Sequence, residues 1–442
     1  MNTRRVVTAF LAHSGKILLL KRSSKVRTYP RRWAGISGSI EQGDASPDER
    51  VLKEIEEETG LFPEDIQFVR KGKPAKIADE NRIWMVYPFL YNVPNPGKIR
   101  TNWEHTDKLW IEPGEITAHN TVPNLAQTLD SVYLRKGLSN RIADIEADRT
   151  LGASELALAA LYVLKRETTE VRAKSPDALL AHLSNVAWHL RSTRPSMAPL
   201  TNATAFVLYH AMREPIKRKR VSYLRALIAE KIDEYETNCR NASKIISHQT
   251  ESLLADNTTI LTHSYSGTVV NAIASSSREN LHIIVTESRP LYEGVKTANR
   301  LSEKYDVTLI TDAQAGYFIG QADFVLIGSD SVLPDGAVVN KVGTHLIALA
   351  AERQNVPVYA LCQTDKFRSL AHNNDTTIEF EEKDGSEVIS EGVRKVKVRN
   401  IYFDVTPAEL IRGIVTERGI LTTNDVLPVA KEMAEYESVW HM

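Results

Sequence analysis

Between residues 258 and 362, short unbroken apolar runs alternate with segments that have helical spacing. The runs lack the polar–apolar alternation of a strand with one solvent-exposed face. Both faces of each strand are therefore expected to be buried against other elements. Neighbouring parallel strands need a long crossover, which a helix usually supplies. The runs are TILTHSYS, LHIIVTES, VTLITD, DFVLIGSD and VPVYALC, and the helical segments are GTVVNAIAS, GVKTANRLSEK and VGTHLIALAAERQ. The pattern therefore predicts an α/β domain built on a parallel, doubly wound sheet.

The rest of the 442-residue chain contains two regions that differ in composition and in the spacing of apolar residues. Residues 1–138 mix β-branched and aliphatic runs, including a predicted hairpin over residues 4–22, with helical segments, which indicates an α+β domain. Residues 139–250 are rich in Ala, Leu, Glu, Lys and Arg at roughly helical spacing, which predicts a helical part. The predicted organisation is therefore an α+β domain (1–138), a helical part (139–250) and the α/β part (251–442).

Charge and cysteine content exclude several classes of protein. Lys and Arg total 55 against 56 Asp and Glu, a net charge of −1, so no nucleic-acid partner is expected. The basic run at 216–220 is expected to be the exposed start of a helix, with RNA contact as the alternative. The two cysteines, Cys239 and Cys362, are far apart and in no metal-ligand spacing, which argues against a disulfide framework and favours a cytoplasmic location.

The apolar stretches are too short for a membrane helix. The most apolar one, Leu156–Leu164, has nine residues, fewer than half of the roughly 20 that a bilayer requires. The N-terminal apolar stretch lacks the small-residue cleavage pattern of a signal peptide and runs into further strand-like sequence. We therefore expect no membrane segment and no membrane partner.

The sharpest local signal is the segment GSIEQGDASPDERVLKEIEEETGL, residues 38–61. On a helix beginning near Pro47, Glu54, Glu57 and Glu58 stand at positions i, i+3 and i+4 and share one face. Three like charges on one face repel each other, and a hard divalent cation such as Mg²⁺ would turn that repulsion into a binding site. Gly38 allows a tight loop whose backbone approaches the metal or a phosphate. The alternative is a solvated acidic helix with no ligand.

This segment resembles the Nudix box, in which a Gly is followed by a spaced Glu and then by Arg-Glu-aliphatic-x-Glu-Glu-x-Gly-aliphatic. Gly38, Glu54, Glu57, Glu58 and Gly60 match that pattern. The chain departs from it at three places, which are Asp44 instead of the first Glu, eight residues instead of seven before the next motif position, and Lys53 instead of Arg.

The resemblance implies an activity and a cofactor for residues 1–138. Nudix proteins cleave a nucleoside diphosphate linked to another group, using Mg²⁺ or Mn²⁺. By resemblance, Glu57 and Glu58 hold the metal with help from Glu54, and a degenerate nucleotide-binding domain is the competing interpretation. Glu104 and His105 are either substrate-contacting groups or a loop acid and a structurally satisfied histidine.

Polar clusters follow several predicted strands of the C-terminal part. In a doubly wound sheet the carboxyl ends of the strands meet at one edge, so clusters that are distant in sequence can converge on a ligand. At that edge, Asp330 is a candidate to transfer a proton or to accept a hydrogen bond from a sugar hydroxyl. The candidate phosphate contacts are Arg194, Arg289, Lys341 and Lys366. Any one cluster taken alone is better explained by turn chemistry.

The region from about residue 140 to the segment at 402–419 resembles the family of initiation factor 2B regulatory subunits (α, β and δ). That family includes methylthioribose-1-phosphate isomerase and ribose-1,5-bisphosphate isomerase. The resemblance rests on the STRPS motif, on GSDSVLPDGAVVNKVGT and on YFDVTPAELIRGIVTERG. It implies a helical N-terminal part followed by a Rossmann-like part, and it favours a homodimer formed through the C-terminal domain.

The family contains enzymes and binding proteins, and two positions distinguish them. The isomerases carry a catalytic Cys where this chain has Ser264, and they pair it with an Asp that matches Asp330. Their Arg-Gly-Ala phosphate loop corresponds here to 151–153, Leu-Gly-Ala, without the Arg. Because a serine hydroxyl ionises far less readily than a thiol, proton transfer is expected to be impaired. With Asn340 and Lys341 retained, the resemblance implies that a phosphorylated sugar or nucleotide still binds.

The sequence therefore predicts a two-part protein. The N-terminal part is expected to hydrolyse a nucleoside-diphosphate compound of the ADP-ribose or dinucleotide class. The C-terminal part is expected to bind a phosphorylated sugar or nucleotide, with the hydrolysis product as one candidate. The alternatives are an aldose-1-phosphate to ketose-phosphate isomerase and a non-catalytic regulatory protein similar to a translation initiation factor.

Overall fold

The computed structural model describes residues 3–79, 82–214, 220–370, 380, 382–389 and 396–440. The chain divides into two compact units, Met1–Asn140 (unit 1) and Arg141–Met442 (unit 2). The domain limits at 138/139 and 250/251 stay predictions. Of the basic run at 216–220, residues 216–219 lie outside the described residues.

Unit 1 is built on a mixed β-sheet. Strands β1 and β2 form the predicted hairpin, and β1 also pairs in parallel with β7. The strands are β1 (Thr3–His13), β2 (Lys16–Arg22), β3 (Trp33–Ala34), β4 (Ile36–Ser39), β5 (Gln67–Lys71), β6 (Ala75–Asp79), β7 (Arg82–Asn92) and β8 (His105–Ile111). The helices are α1 (Pro47–Thr59) and α2 (Leu125–Asp130).

The sheet of unit 1 is covered on both faces. Val7, Ala9 and Leu11 of β1 belong to the core that contains Val51 and Ile55 of α1. The intervening Phe10 belongs to a second core that contains residues of α2. Because successive side chains of a strand point to opposite faces, the two cores lie on opposite sides of the sheet. This packing fixes α1 against the strands that surround the predicted Nudix box.

Unit 2 begins with long helices and continues with alternating strands and helices. The helices are α3 (Lys136–Ala147, which contains the boundary between the units), α4 (Ala153–Glu170), α5 (Pro176–Ser192), α6 (Ala198–Arg213), α7 (Val221–Glu251), α8 (Gly267–Ala274), α9 (Glu293–Leu301), α10 (Ala315–Phe318), α11 (Thr344–Arg353) and α12 (Thr423–Glu437). Among the helices of the described ranges, none combines the length and the apolar content that a bilayer crossing requires.

The main sheet of unit 2 reverses its winding between two central strands. Its order is β11-β10-β9-β12-β15-β17-β18, so the chain builds outward from β9 in one direction and from β12 in the other. Ligands in open α/β sheets bind at such a switch point, outside the carboxyl ends of the strands. The strands are β9 (Thr259–His263), β10 (His282–Thr286), β11 (Asp306–Ile310), β12 (Phe324–Ile327), β13 (Ser331–Val332), β14 (Val338–Lys341), β15 (Val358–Leu361), β16 (Phe403–Thr406), β17 (Gly413–Thr416) and β18 (Gly419–Leu421).

Unit 2 is a mixed α/β unit, which differs from the purely parallel sheet that the apolar runs predict. The five runs do form strands that pair in parallel. However, β17 and β18 pair antiparallel, and β13, β14 and β16 form a separate antiparallel sheet. Tight turns join β13 to β14 and β17 to β18, and such antiparallel neighbours need no helical crossover. In contrast, β16 pairs with β14 only after α11 and β15.

A buried serine joins the helical segment to the strand loop that carries Asp330. The hydroxyl of Ser331 donates a hydrogen bond to the carbonyl of Ser196 at 2.8 Å and accepts one from the N–H of Ala198 at 2.9 Å. Both serines have 0% exposure. The loop before α6 and the loop after β12 are thereby held together at the edge where ligands are expected.

We predict that Ser331→Ala destabilises unit 2. The substitution removes two buried hydrogen bonds of the Ser331 hydroxyl, which costs about 1–3 kcal/mol of unfolding free energy. The midpoint of the urea unfolding transition should fall accordingly. Ser302→Ala, which removes an exposed hydroxyl, is the matched control, and an equal shift for both variants would contradict the bridging role.

Candidate functional site

The helix that carries the acidic cluster of unit 1 has clear start and stop signals. The hydroxyl of Ser46 accepts a hydrogen bond from the N–H of Glu49, and Pro47 occupies the first helical position. Gly60 ends the helix in the left-handed conformation, with φ +67°. These are the residues expected for an N-cap, for position N1 and for the residue after a helix, so α1 is fixed at both ends.

The three glutamates of α1 have unequal surroundings. Glu54 and Glu58 are 6% and 2% exposed and lie on the face that packs into the core, whereas 58% of the Glu57 side chain is exposed. Gly38 of β4 lies directly against Glu54, since a Cβ at this position would overlap the Glu54 carboxylate. The structure therefore brings the predicted Gly38 and Glu54 together and leaves Glu57 open to solvent.

Glu58 is held by two hydrogen bonds that the sequence did not predict. Its Oε2 lies 2.6 Å from Nε2 of His105, and its Oε1 accepts the N–H of Ser37 at 3.1 Å. Burial raises the pKa of the Glu58 carboxyl, and the hydrogen bonds from His105 and Ser37 oppose that effect. His105, for which the sequence left two roles open, is thus a partner of Glu58.

Glu54 is paired with an arginine one turn earlier on α1. Nε of Arg50 donates to Oε1 of Glu54 at 2.7 Å, Nη2 of Arg50 donates to the same oxygen, and Nη2 also lies 3.8 Å from Oε2 of Glu57. Burial nevertheless raises the pKa of Glu54 to about 7, against the lowering effect of Arg50. Oε2 of Glu54 forms no hydrogen bond with any described residue.

Two of the departures from the Nudix pattern contact each other. Nζ of Lys53 lies 3.1 Å from Oδ1 of Asp44 and 2.6 Å from Oε1 of Glu49. The lysine thus pairs with the aspartate that replaces the first Glu of the pattern, and it does not contact Glu54. In this chain Arg50 is the residue that pairs with the buried metal-ligand candidate.

The acidic cluster fits a hard divalent cation in its chemistry. Carboxylate oxygens are the ligands that Mg²⁺ prefers, and Glu54 has a raised pKa and an oxygen without a hydrogen-bond partner among the described residues. The three glutamates do not form a closed ligand cluster, because over the described ranges no group of three or more His, Cys, Asp or Glu side chains has the arrangement of a metal site. The guanidinium of Arg50 is the positive charge that pairs with Glu54.

Unit 2 contains a cavity of about 460 Å³ at the carboxyl ends of β9 and β12. This is the switch point of the sheet, where a ligand is expected. Six of the predicted residues line this cavity, which is called the switch-point cavity below: Arg194, Ser264, Asp330, Asn340, Lys341 and Lys366. Residues that are far apart in sequence therefore converge as the strand pattern predicts.

A carboxylate that the sequence did not indicate lies among the cations of the switch-point cavity. Oε2 of Glu293 pairs with Nζ of Lys341 at 2.9 Å and accepts the hydroxyl of Ser264 at 3.3 Å. Lys341 also lies over the ring of Tyr402, 4.4 Å from its centroid. Ser264 has φ +65°, an uncommon backbone conformation for a residue other than glycine, which is most frequent at functional sites.

The other cations of the cavity are anchored by backbone carbonyls. Nζ of Lys366 donates to the carbonyl of Ser329 at 2.6 Å, and Nη2 of Arg194 donates to the carbonyl of Ile145 at 3.2 Å. Lys366 and Arg194 are 6% and 3% exposed. The cavity wall therefore holds positive charge in fixed positions.

Two helices begin at the switch-point cavity. Gly152 and Ala153 at the start of α4 line it, as do Ser266 and Gly267 at the start of α8. Helix N-termini present N–H groups and a partial positive charge, which favour phosphate. The Leu-Gly-Ala stretch at 151–153 lines this cavity, and its correspondence to a phosphate loop stays a prediction. Arg149, which the sequence did not indicate, also lines the cavity.

Arg289 lies next to Tyr292, a residue that lines the switch-point cavity, and its predicted phosphate contact stays a prediction. Arg289 itself is not among the lining residues. Its guanidinium donates to the hydroxyl of Tyr292 and, at 2.5 Å, to the carbonyl of Val388. The N–H groups of Ser288 and Arg289 both donate to Asp312 at 2.8 Å, which fixes the backbone at this turn.

Neither cysteine belongs to the switch-point cavity. Burial raises the pKa of the Cys362 thiol to about 12, and it also raises the pKa of the Cys239 thiol. A buried thiol with a raised pKa is inert as a nucleophile. Among the described residues, the cavity is therefore lined by the hydroxyl of Ser264 and by no thiol.

Comparisons with known proteins assign a family to each unit. Residues 1–132 match the NUDIX domain, and residues 149–423 match the Initiation factor 2 subunit family. The ribose 1,5-bisphosphate isomerase of Haloferax volcanii is 31% identical over 297 residues, which cover 66% of this chain and 90% of that protein. The translation initiation factor eIF-2B subunit 2-like protein of Pyrococcus abyssi is 35% identical over 284 residues, which cover 63% of this chain and 94% of that protein.

Solved structures agree with these matches. The translation initiation factor eIF-2B of Pyrococcus horikoshii OT3 superposes with a TM-score of 0.58 at 29% identity and covers 66% of this chain and 100% of that one. The 5-methylthioribose 1-phosphate isomerase of the same organism, with a TM-score of 0.54 at 22% identity, shows the shared fold. The chain therefore belongs to the Initiation factor 2 subunit family and carries a NUDIX domain before the region that defines that family.

Proposed function

We propose that unit 1 is a Mg²⁺- or Mn²⁺-dependent hydrolase of nucleoside-diphosphate-linked compounds of the ADP-ribose or dinucleotide class. The observation that carries the proposal is the placement of Glu54, Glu57 and Glu58 on one capped helix, with Glu54 against Gly38. The NUDIX match supports hydrolase chemistry in general. The pairing of Arg50 with Glu54 supports catalytic competence, because it gives a buried glutamate the arginine partner that Lys53 does not supply.

The residues of α1 have different parts in this proposal. A bound divalent cation would polarise the diphosphate and lower the pKa of the attacking water. Glu58 is oriented in advance by Ser37 and His105, as ligands with fixed partners are in known metal sites. Glu54 offers Oε2, because Arg50 engages only Oε1. Glu57 is exposed and would complete the ligand set from the solvent side.

We predict that Glu57→Gln lowers metal-dependent hydrolysis of ADP-ribose at least about 100-fold. The variant loses one charged metal ligand, and metal stabilisation of the transition state amounts to several kcal/mol. The rate is measured as release of ribose 5-phosphate with Mg²⁺ in excess, and far-UV circular dichroism verifies folding. Glu56→Gln, one position away on an exposed part of α1, is the control and should retain the native rate. A native rate in Glu57→Gln would contradict the assignment.

For unit 2 we propose binding of a phosphorylated sugar or nucleotide in the switch-point cavity. The proposal is supported by the convergence of Lys341, Lys366 and Arg194 with the N-termini of α4 and α8. Asp330 and Glu293 supply carboxylates in the same cavity, and carboxylates are suitable acceptors for the hydroxyls of a sugar. The combination fits a ligand that carries both a phosphate and hydroxyl groups.

We predict that Lys341→Met weakens the binding of ribose 5-phosphate about tenfold or more. The change removes the ammonium and keeps an apolar stem, and a hydrogen bond to a charged group contributes about 1.5–3 kcal/mol. Binding is measured by isothermal titration calorimetry at fixed ionic strength. Lys431→Met, at an exposed position of α12, is the matched control. Equal affinities for the native chain and Lys341→Met would exclude a phosphate contact at Lys341.

A sugar-phosphate isomerase is the second candidate function of unit 2. It is supported by the 31% identity to the Haloferax volcanii enzyme and by the presence of Asp330 in the cavity. The hydroxyl of Ser264, which is held by Glu293, favours binding without turnover, since it is much less acidic than a thiol.

We predict that the native chain binds ribose 1,5-bisphosphate without converting it to a ketose phosphate. The conversion is followed by ¹³C NMR of the carbonyl carbon, with the chain at substrate-level concentration. Asp330→Asn tests any turnover that is seen. Ketose formation that disappears in Asp330→Asn would overturn this prediction and establish the isomerase.

A further inference from the structure

Unit 2 contains a second cavity, of about 350 Å³, at the carboxyl ends of β15 and β17. Asp365 lies in the turn that follows β15, and Glu417 follows β17 directly. Side chains of α6, α7 and α12 complete the wall. The volume lies in the range of about 300–1,000 Å³ that small-molecule sites occupy, and the position is the edge of an α/β sheet where ligands bind.

The lining of this second cavity carries negative charge. It contains three carboxylates, those of Asp365, Glu417 and Glu432, and one guanidinium, that of Arg418. Arg418 donates to both oxygens of Glu432, at 2.7 and 3.0 Å. Neither Asp365 nor Glu417 forms an ion pair with a described residue. Their charge is therefore left without a counter-ion from the described part of the chain.

Two buried oxygens of the cavity wall have no hydrogen-bond donor. Oδ1 of Asp365 and Oδ1 of Asn202 are without a partner among the described residues. Asn202 is 2% exposed, and its Nδ2 donates to the carbonyls of Asp365 and Phe367 at 2.6 and 2.8 Å, which fixes the orientation of the amide. Buried acceptors normally have donors, so these two residues of the lining have acceptor capacity that the described residues do not satisfy.

The known contacts of Asp365 do not neutralise it. Its Oδ2 accepts the hydroxyl of Tyr235 at 2.6 Å, which is a neutral donor. Burial raises the pKa of the Asp365 carboxyl, in spite of the opposing effects of Tyr235 and Lys366. The neighbouring Lys366 directs its ammonium to Ser329 in the switch-point cavity. Burial therefore disfavours the bare Asp365 carboxylate, and a proton or a cation from outside the chain would relieve that cost.

Aromatic rings form another part of the wall and indicate the kind of cation. Phe206, Tyr235 and Tyr436 line the cavity. The ring centroid of Phe206 lies 5.8 Å from that of Tyr235 and 5.4 Å from that of Tyr436. Ring faces attract organic cations through their quadrupole. A metal ion is a poorer fit, because no metal-type cluster occurs within the described ranges.

We propose that this second cavity binds a small organic ammonium ion, with Asp365 and Glu417 as its counter-charges and the rings of Phe206 and Tyr436 around its carbon chain. The ligand class is that of alkylamines and diamines. The site is separate from the phosphate contacts of the switch-point cavity, and it depends on neither the hydrolase nor the sugar-phosphate assignment. Gln363 lines both cavities.

The test uses the full chain and 1,4-diaminobutane as the probe. Isothermal titration calorimetry at constant ionic strength should show saturable binding of the diamine and none of 1,4-butanediol, which has the same length without charge. Asp365→Asn and Glu417→Gln should each weaken binding about tenfold or more, because each removes a charged hydrogen-bond acceptor. Glu352→Gln, at an exposed position of α11, is the matched control and should bind as the native chain does.

The outcomes separate the proposal from its alternatives. Absence of saturable diamine binding in the native chain would overturn the proposal, as would equal binding of diamine and diol. An equal loss in Glu352→Gln would show a general charge effect and would also overturn it. If Asp365→Asn does not fold, as judged by circular dichroism, Glu417→Gln decides the question, since its amide oxygen still accepts the hydrogen bonds from Thr364.

Discussion

The parallel strands of unit 2 impose the constraint on which its chemistry depends, since they all end at one edge of the sheet. The loops after β9 and β12 carry Ser264 and Asp330, and the turn after β15 carries Asp365 and Lys366. The three loops are far apart in sequence, because strands and helices lie between them, and the sheet alone brings them together. The buried bridge through Ser331 then locks the helical segment onto the same edge, so that Arg194 contributes to a cavity built mainly by the sheet.

That constraint is also why much of the unit 2 site was predictable from the sequence. Residues at the carboxyl ends of parallel strands must converge, and Ser264, Asp330 and Lys366 all line one cavity. Asn340 and Lys341 reach the same cavity from β14 of the small antiparallel sheet. Glu293 could not be found in this way, because it begins a helix and no motif distinguishes it from other surface glutamates. Arg289 follows β10, as the sequence indicates, but it is not among the residues that line the cavity. The backbone N–H groups of Ser288 and Arg289 donate to Asp312, and a sequence pattern does not reveal such contacts.

In unit 1 the periodicity of a helix predicted the acidic cluster but not how its charges are balanced. Spacing alone placed three glutamates on one face, whereas packing buried Glu54 and Glu58 and left Glu57 exposed. The partners come from three different sources, which are Arg50 on the helix itself, His105 at the start of β8 and the backbone of Ser37. Of these three partners, only Arg50 could be predicted from the sequence, because it lies four residues before Glu54 on the same helix. The other two depend on strand pairing, which brings distant backbone beside α1.

One three-residue turn, Thr364–Lys366, belongs to both cavities of unit 2. Its aspartate contributes to the acidic cavity, and its lysine contributes to the cationic one. The two side chains share one short stretch of backbone, so a displacement of the turn would move both of them. If each cavity binds the ligand proposed for it, a ligand that displaces the turn in one cavity would change the affinity of the other. Thermodynamic linkage would then make that change in binding free energy equal in both directions.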